Sequence, residues 1–248
     1  MKILVVNPNT TASMTERIGE AARSVASAGT EIVAVNPVQG PVSIEGYYDE
    51  AFALPGLLEE IARGEALGVD GHIIACFDDT GLDAARTLAD APVVGLCEAA
   101  LHLACLIAGS FSIVTTLERS VPAIEGLVRR YGMAGHCRRV RATDVPVLAL
   151  ENPASEARRR IADEIRRAIA EDRAEAVVLG CAGMADLARA LSGEFGLPVI
   201  DGVAAAVKLV EGLAALGLRT SKAGGYAAPL AKAYAGDLAR FAPPGEGR

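Results

Sequence analysis

Lysine is nearly missing from this chain: Lys2, Lys208, Lys222 and Lys232 are the only ones in 248 residues. A Schiff-base mechanism on a pyridoxal group therefore has few candidate nucleophiles. Sustained basic runs are missing as well, and 24 Lys and Arg face 31 Asp and Glu for a net charge of −7. That balance is a poor electrostatic footprint for nucleic acid, so no nucleic-acid partner is expected. The five cysteines include no Cys-x-x-Cys pair. Neither a zinc ribbon nor a disulfide framework fits, and the thiols should be free in a reducing cytoplasm. No glycine-rich dinucleotide fingerprint or phosphate loop occurs. The apolar start, Met1 to Val6, is too short for a signal peptide and runs straight into Asn7-Pro8-Asn9. The apolar stretch from Leu96 to Val114 is broken by Glu98, His102, Gly109 and Ser110, so it reads as a buried helix and strand rather than a membrane span. His72 and Cys76 share one strand but stand about 13 Å apart, too far to hold one metal ion. No metal site is expected.

Against these absences stands a composition that is 51% hydrophobic and 22% charged. It is that of a folded α/β protein, as one large domain or two of about 120 residues. Strands are expected at Lys2 to Asn7, Glu31 to Val35, His72 to Cys76 and Pro92 to Gly95. Helices follow from Met14 to Val25, Asp49 to Arg63 (kinked at Pro55), Asp83 to Ala89 and Glu98 to Ala108. Ser13 with Glu16 three residues on has the form of a capping box. The second half repeats the order. Its strands are Phe111 to Thr116, Arg139 to Thr143, Ala176 to Cys181 and Pro198 to Ile200. Its helices are Val121 to Arg130 and an amphipathic Ser155 to Glu171. A last helix, Leu230 to Phe241, precedes a fraying Pro243-Pro244-Gly245. Three pairs of equivalent segments are offset by 105, 106 and 109 residues. Such agreement implies an internal duplication. The fold is therefore expected to be α/β, with two pseudo-symmetric βα lobes, each a mainly parallel sheet flanked by helices. Lobe 1 takes 1–109 with the C-terminal segment 208–248, lobe 2 takes 110–207, and the active site lies in the cleft between them.

Two strand ends carry the chemistry. Ile73-Ile74-Ala75-Cys76-Phe77-Asp78-Asp79-Thr80 and Val177-Val178-Leu179-Gly180-Cys181-Ala182-Gly183-Met184 are apolar runs that each stop at a cysteine. Ligands in open α/β sheets gather at the carboxyl ends of strands. A single cysteine there reads as a small buried hydrophobe; a pair at equivalent repeat positions reads as two acid–base groups facing one substrate. One thiolate would abstract a carbon-bound proton while the opposite thiol returns one to the other face. Both cysteines precede expected helices, whose N-termini would lower their pKa toward working pH. Asp78 and Asp79 beside Cys76 would raise a thiol's pKa, so they suit orientation or contact with a substrate N–H better than activation. Asn7-Pro8-Asn9-Thr10 and Thr115-Thr116 end equivalent strands, where they either cap helices or bind a polar heterocycle. Cys97 and Cys105 are about 12 Å apart along one helix, too far for a disulfide. Cys137 reads as an exposed thiol and His102 as a satisfied core histidine. The long loop from Val38 to Tyr48, with Tyr47, is the expected wall for the substrate's side group.

Taken together, Val6-Asn7-Pro8-Asn9-Thr10, Ser43-Ile44-Glu45-Gly46-Tyr47-Tyr48-Asp49-Glu50, Ala75-Cys76-Phe77-Asp78-Asp79-Thr80-Gly81-Leu82, Val114-Thr115-Thr116 and Leu179-Gly180-Cys181-Ala182-Gly183-Met184 resemble the aspartate/glutamate racemase superfamily. Within it they resemble the hydantoin racemase branch, over essentially the full chain. The resemblance implies a cofactor-independent two-base racemase of 5-monosubstituted hydantoins, with Cys76 and Cys181 as the catalytic pair. It also implies a cytoplasmic homo-oligomer in which Asn7, Phe77, Asp78, Thr115, Thr116, Ala182 and Gly183 line a small-molecule substrate. The C5 hydrogen of a hydantoin is flanked by a carbonyl, so the thiolate need not be extreme. Backbone N–H groups at the two cysteine-bearing helix starts would stabilise the enolate. Allantoin, itself a 5-substituted hydantoin, is the alternative substrate. An aspartate-type racemase or a maleate isomerase would instead need a cationic side chain in the cleft. A two-lobed binding protein with inert thiols is the reading from a different class.

Overall fold

The apolar run at the N-terminus becomes the inner strand of a parallel sheet. In the computed structural model, which describes residues 1–152 and 156–243, β1 (Lys2–Val6) lies between β2 (Glu31–Val35) and β3 (Gly71–Ile74). β3 in turn pairs with β4 (Val93–Gly95). Ile3, Leu4, Val5 and Val6 are all buried, as strands covered by helices on both faces must be. The connections are α1 (Ala12–Val25), α2 (Tyr47–Ala66) and α3 (Leu82–Leu88), with α4 (Leu96–Ile107) following β4.

The chain then repeats itself. β5 (Phe111–Thr115), β6 (Cys137–Ala142), β7 (Ala176–Leu179) and β8 (Val199–Asp201) form a second parallel sheet, joined by α5 (Val121–Arg130), α6 (Ala157–Asp172) and α7 (Ala188–Phe195). The strand orders, β2-β1-β3-β4 and β6-β5-β7-β8, are the same. The fold is two four-stranded parallel sheets flanked by helices, and β1 corresponds to β5 and β3 to β7. One apolar core spans both sheets, running from Ile3 and Val5 through Leu96 and Ala100 to Phe111, Ile113 and Val207. The last helix, α8 (Gly202–Ala215), crosses back to pack on α1, α4, β3 and β4. It approaches α4 so closely that a Cβ at Gly202 would sit 2.6 Å from the Leu96 Cβ.

Several local expectations change. α1 starts at Ala12 with Thr11 as its cap residue, two residues before the expected Ser13 cap; the Thr11 hydroxyl donates instead to the Val42 carbonyl at 2.6 Å. α2 runs on through Pro55. β6 keeps its arginines because Arg141, 5% exposed, meets Asp172 at 2.6 Å. The helix expected from Leu230 is only a 3-10 turn, Gly236–Phe241. Its neighbourhood is exposed, and a short segment without a buried apolar face does not sustain a helix. His102 is exposed, its ring bonded to the Glu98 carbonyl. His72 is the core histidine, held by Glu65 at 2.7 Å. Ser155, the expected first residue of α6, and Pro244-Gly245 lie outside the described residues.

Candidate active site

β3 and β7 both end two residues short of their cysteine, at Ile74 and Leu179. Cys76 and Cys181 therefore stand at matching places just beyond the sheets, and both line one cleft of about 40 Å³ between the two halves. Each sulfur accepts the backbone N–H of the residue two further on, Asp78 for Cys76 and Gly183 for Cys181. The Thr80 hydroxyl reaches Cys76 Sγ as well, at 3.5 Å. This is the duplication expressed as chemistry: one loop geometry, used twice, presents two thiols to the same space.

The thiols are not the low-pKa groups the sequence suggests. Burial, then the charge of Asp78, pushes Cys76 well above the ordinary thiol range, against the Thr80 and Asp78 hydrogen bonds. Burial likewise pushes Cys181 up to about 11, with Asp78 and Glu45 adding to it and the Gly183 amide opposing. The helix-terminus effect is weak here for a visible reason. α3 begins only at Leu82, and Cys181 is followed by a short 3-10 segment, Ala182–Leu187.

Of the other residues singled out from sequence, Asn7, Phe77, Asp78, Thr115, Thr116 and Ala182 line the cleft. Gly183 does not, and acts on it through Cys181. The Asn7 amide nitrogen is occupied by Asn9 and Thr15, both at 3.0 Å, and its carbonyl oxygen, which accepts the Asn9 N–H at 3.4 Å, keeps one lone pair to offer. Thr115 spends its hydroxyl on the Gly180 carbonyl at 2.9 Å. Among the described residues no donor is bonded to the Asp78 carboxylate. Burial, then the charges of Glu50 and Asp79, raises Asp78 to about 7. Asp79 turns the other way. In the left-handed region at φ 47°, it accepts the Cys97 and Glu98 amides at the start of α4 and the Tyr131 hydroxyl at 2.7 Å. Burial still outweighs these bonds and puts it at about 7. Asp79 thus anchors the loop that carries Cys76, leaving Asp78 to the cleft.

Met14, Ile44, Ser120 and Val147 also line the wall; Ile44 belongs to the loop expected there, and the other three were not legible beforehand. Ile44, not Tyr47, is what the long loop contributes; Tyr47 is 66% exposed. That loop is tied across the cleft, since Val147 N–H donates to Glu45 Oε1 at 3.1 Å. Arg17 adds a second tie, to the Leu150 carbonyl at 3.2 Å. Val147 had no signal in the sequence, because it sits in an irregular link whose place is set by packing alone. Cys137 opens β6 half-buried, and burial pushes it up to about 12, so it is no exposed reactive thiol. Among the described residues no cluster of three or more His, Cys, Asp or Glu side chains is arranged to hold a metal ion. A larger hollow of about 590 Å³ beside β6 and α6 holds no cysteine. Arg141 there is ion-paired with Glu171 and Asp172 and Arg167 with Glu164, and Arg160 donates to the Asp144 carbonyl at 2.8 Å.

Among the described residues no Lys, Arg or His lines the cysteine cleft. It suits a neutral molecule carrying N–H groups, placed between two thiols. Comparison with known proteins points the same way. A family model described as Asp/Glu/Hydantoin racemase matches residues 3–210. A hydantoin racemase of Rhizobium meliloti is 55% identical, covering 95% of this chain and 98% of its own. One from Pseudomonas sp. (strain NS671) is 48% identical, covering 97% of both. Among solved structures, allantoin racemase from Klebsiella pneumoniae superposes with a TM-score of 0.95 at 53% identity, covering 98% of this chain and 99% of its own.

Proposed function

From the Asp/Glu/hydantoin racemase family, to which this chain belongs, we propose that it is an isomerase that interconverts the D- and L-enantiomers of 5-monosubstituted hydantoins. Cys76 and Cys181 are the two acid–base groups in this reading. One, as thiolate, removes the C5 proton; the other, as thiol, delivers a proton to the opposite face, and the pair is left in the reverse protonation state. The observation that carries the proposal is the placement of two equivalent thiols on a single cleft that, among the described residues, has no cationic lining. A free α-carboxylate would be left there without a counter-charge, which disfavours aspartate or maleate. Asn7, Phe77, Asp78, Thr115, Thr116 and Ala182 are the proposed substrate wall, with Gly183 holding the Cys181 sulfur. The chemistry needs no cofactor, since both protons pass through sulfur. Extensive dialysis against chelator should leave the rate unchanged.

The 53% identity to an allantoin racemase supports a second substrate reading, allantoin, within the same mechanism. The deciding measurement is loss of optical rotation from single enantiomers of several 5-substituted hydantoins and of allantoin, with deuterium from solvent entering C5. The highest kcat/KM assigns the substrate. No loss of rotation with any of them refutes the racemase.

The proposal extends to the setting. The lobes are taken as 1–109 with about 208–248, and 110–207. Among the described residues no helix is long and apolar enough to cross a membrane, and five unpaired thiols support a reducing cytoplasm. Assembly into a homo-oligomer is supported by Leu106, Ile107, Leu216 and Leu230, all at least 60% exposed. Sedimentation of the purified protein as a monomer would refute that last part.

A further inference from the structure

Abstracting the C5 proton of a hydantoin sends negative charge onto the adjacent carbonyl oxygen, which then needs a hydrogen-bond donor. Most donors around the cleft are already used. The Asp78 and Gly183 amides, which would be expected to serve the enolate, point at the cysteine sulfurs. The Thr115 hydroxyl is given to Gly180, and the Asn7 amide to Asn9 and Thr15. Thr116, Ser120 and Ala182 remain on the second-sheet side. On the first-sheet side Asn9 is also engaged, its carbonyl by Asn7 and Thr11 and its amide by the Met14 sulfur. The polar side chain left facing the cleft from that side is Asp78.

The surroundings of Asp78 are those of a carboxylic acid, not of a carboxylate. No donor among the described residues bonds to it. The charges that bear on it are both acidic: Asp79, next in the loop, and Glu50, from the first turn of α2. Glu50 is itself short of partners, with Oε1 buried and unbonded. The other titratable groups coupled to Asp78 are Cys76 beside it, Cys97 on α4 and Cys181 opposite. None is a cation. Asp78 is half-buried, and an ionised carboxylate there would be partly desolvated, without a protein donor among the described residues and next to other acids, all of which favour the neutral form. The neutral form has what the carboxylate lacks, an O–H to donate.

Building on the racemase reading above, we propose that Asp78 is a catalytic residue that acts in its protonated form, donating its O–H to the enolate oxygen, and that Glu50 is the positioning residue whose charge keeps the proton on it. The proton stays on Asp78 throughout; only the strength of the hydrogen bond changes as the enolate forms. Loss of the Asp78 charge also removes one repulsion from the thiolate at Cys76. The group that looks from sequence like an acceptor for a substrate N–H is then a donor.

Asn offers an N–H without charge at the same position, and Ala offers nothing. Asp78→Asn should keep kcat/KM for one enantiomer of the best hydantoin within about tenfold of wild type, while Asp78→Ala should lose about 10²–10³-fold. Asp78 is protonated below its raised value of about 7 and ionised above it, so the ratio of Asp78→Asn to wild-type rate should climb as pH rises through that value. In Glu50→Gln the fall of rate relative to Asp78→Asn should begin at lower pH. Independently of activity, wild-type protein at neutral pH should show the infrared carbonyl band of a protonated carboxyl that Asp78→Asn lacks. Absence of that band overturns the proposal, even where a variant does not fold. Equal loss in Asn and Ala, or full activity in both, overturns it while leaving the racemase intact. A wild-type protein inert toward hydantoins and allantoin overturns the racemase reading and this role together.

Discussion

Serine in place of either cysteine keeps the shape of the site but substitutes a hydroxyl, far too weak an acid to exchange protons near neutral pH. Cys76→Ser and Cys181→Ser should each cost racemisation about 10²–10⁴-fold. Each should still exchange the C5 proton of one enantiomer with solvent, and the two variants should favour opposite enantiomers. Deuterium uptake followed by NMR on separated enantiomers reads this directly. Equal, unimpaired turnover in both variants would make the thiols mere packing. A second residue-scale prediction concerns Gly95, whose missing Cβ makes room for the Asp79 carboxylate. Gly95→Ala forces that side chain away from the α4 amides it accepts. The expected cost is about 1–3 kcal/mol, measured by urea unfolding. Activity should fall with it, because Asp79 anchors the loop that carries Cys76.

Between elements, the joint of α8 with the end of α1 rests on one carboxylate. Glu211 accepts from Ser27 N at 2.7 Å, Ser27 Oγ at 2.8 Å, Thr30 Oγ1 at 2.7 Å and Lys208 Nζ at 2.8 Å. Burial pushes its pKa up, but these donors outweigh burial and hold it at about 2, against an ordinary 4.5. A depressed pKa adds stability above the ordinary value, and that contribution is lost as pH falls through the folded one. Thermal melts should therefore lose Tm between about pH 4.5 and pH 2, and Glu211→Gln should flatten that slope. An unchanged slope would show that the joint carries no such linkage. The strap between Glu45 and Val147 is the second joint of this kind. Glu45→Ala removes its acceptor and should raise KM more than it lowers kcat, because the residue closes the cleft without touching the reacting carbon.

At the scale of the whole molecule the cleft is narrow. Its volume of about 40 Å³ has room for about three waters, less than a five-membered ring with two carbonyl oxygens and a substituent. Substrate entry requires the halves, or the strap, to open. Amides in 38–46 and 147–150 should therefore exchange with deuterated solvent faster than those of β1 and β5. A 5,5-disubstituted hydantoin, which has no C5 hydrogen to remove, should bind unreacted and slow that exchange. Exchange that is slow from the start and indifferent to ligand would contradict an opening step.

The sequence by itself determined the strands, the duplication and the paired cysteines, because apolar periodicity and repeat offset are local or self-referential signals. Parallel strands buried on both faces read as continuous runs such as Ile73-Ile74 and Val177-Val178-Leu179, and equivalent runs carry equivalent ends. Element boundaries moved by a few residues, and the Leu230 helix failed, because its residues stay largely exposed and bury no apolar face. Tertiary structure alone decided the electrostatics. Cys76 and Cys181 look activated in a linear reading, yet burial and the acidic neighbours Asp78 and Glu45 push them up. Asp78 looks like an anion, yet the absence of any donor on it among the described residues and the charge of Glu50 from α2 favour its acid form. Desolvation and long-range charge depend on which segments cover a group, and Glu50, Val147 and Ile44 reach this cleft only through the fold.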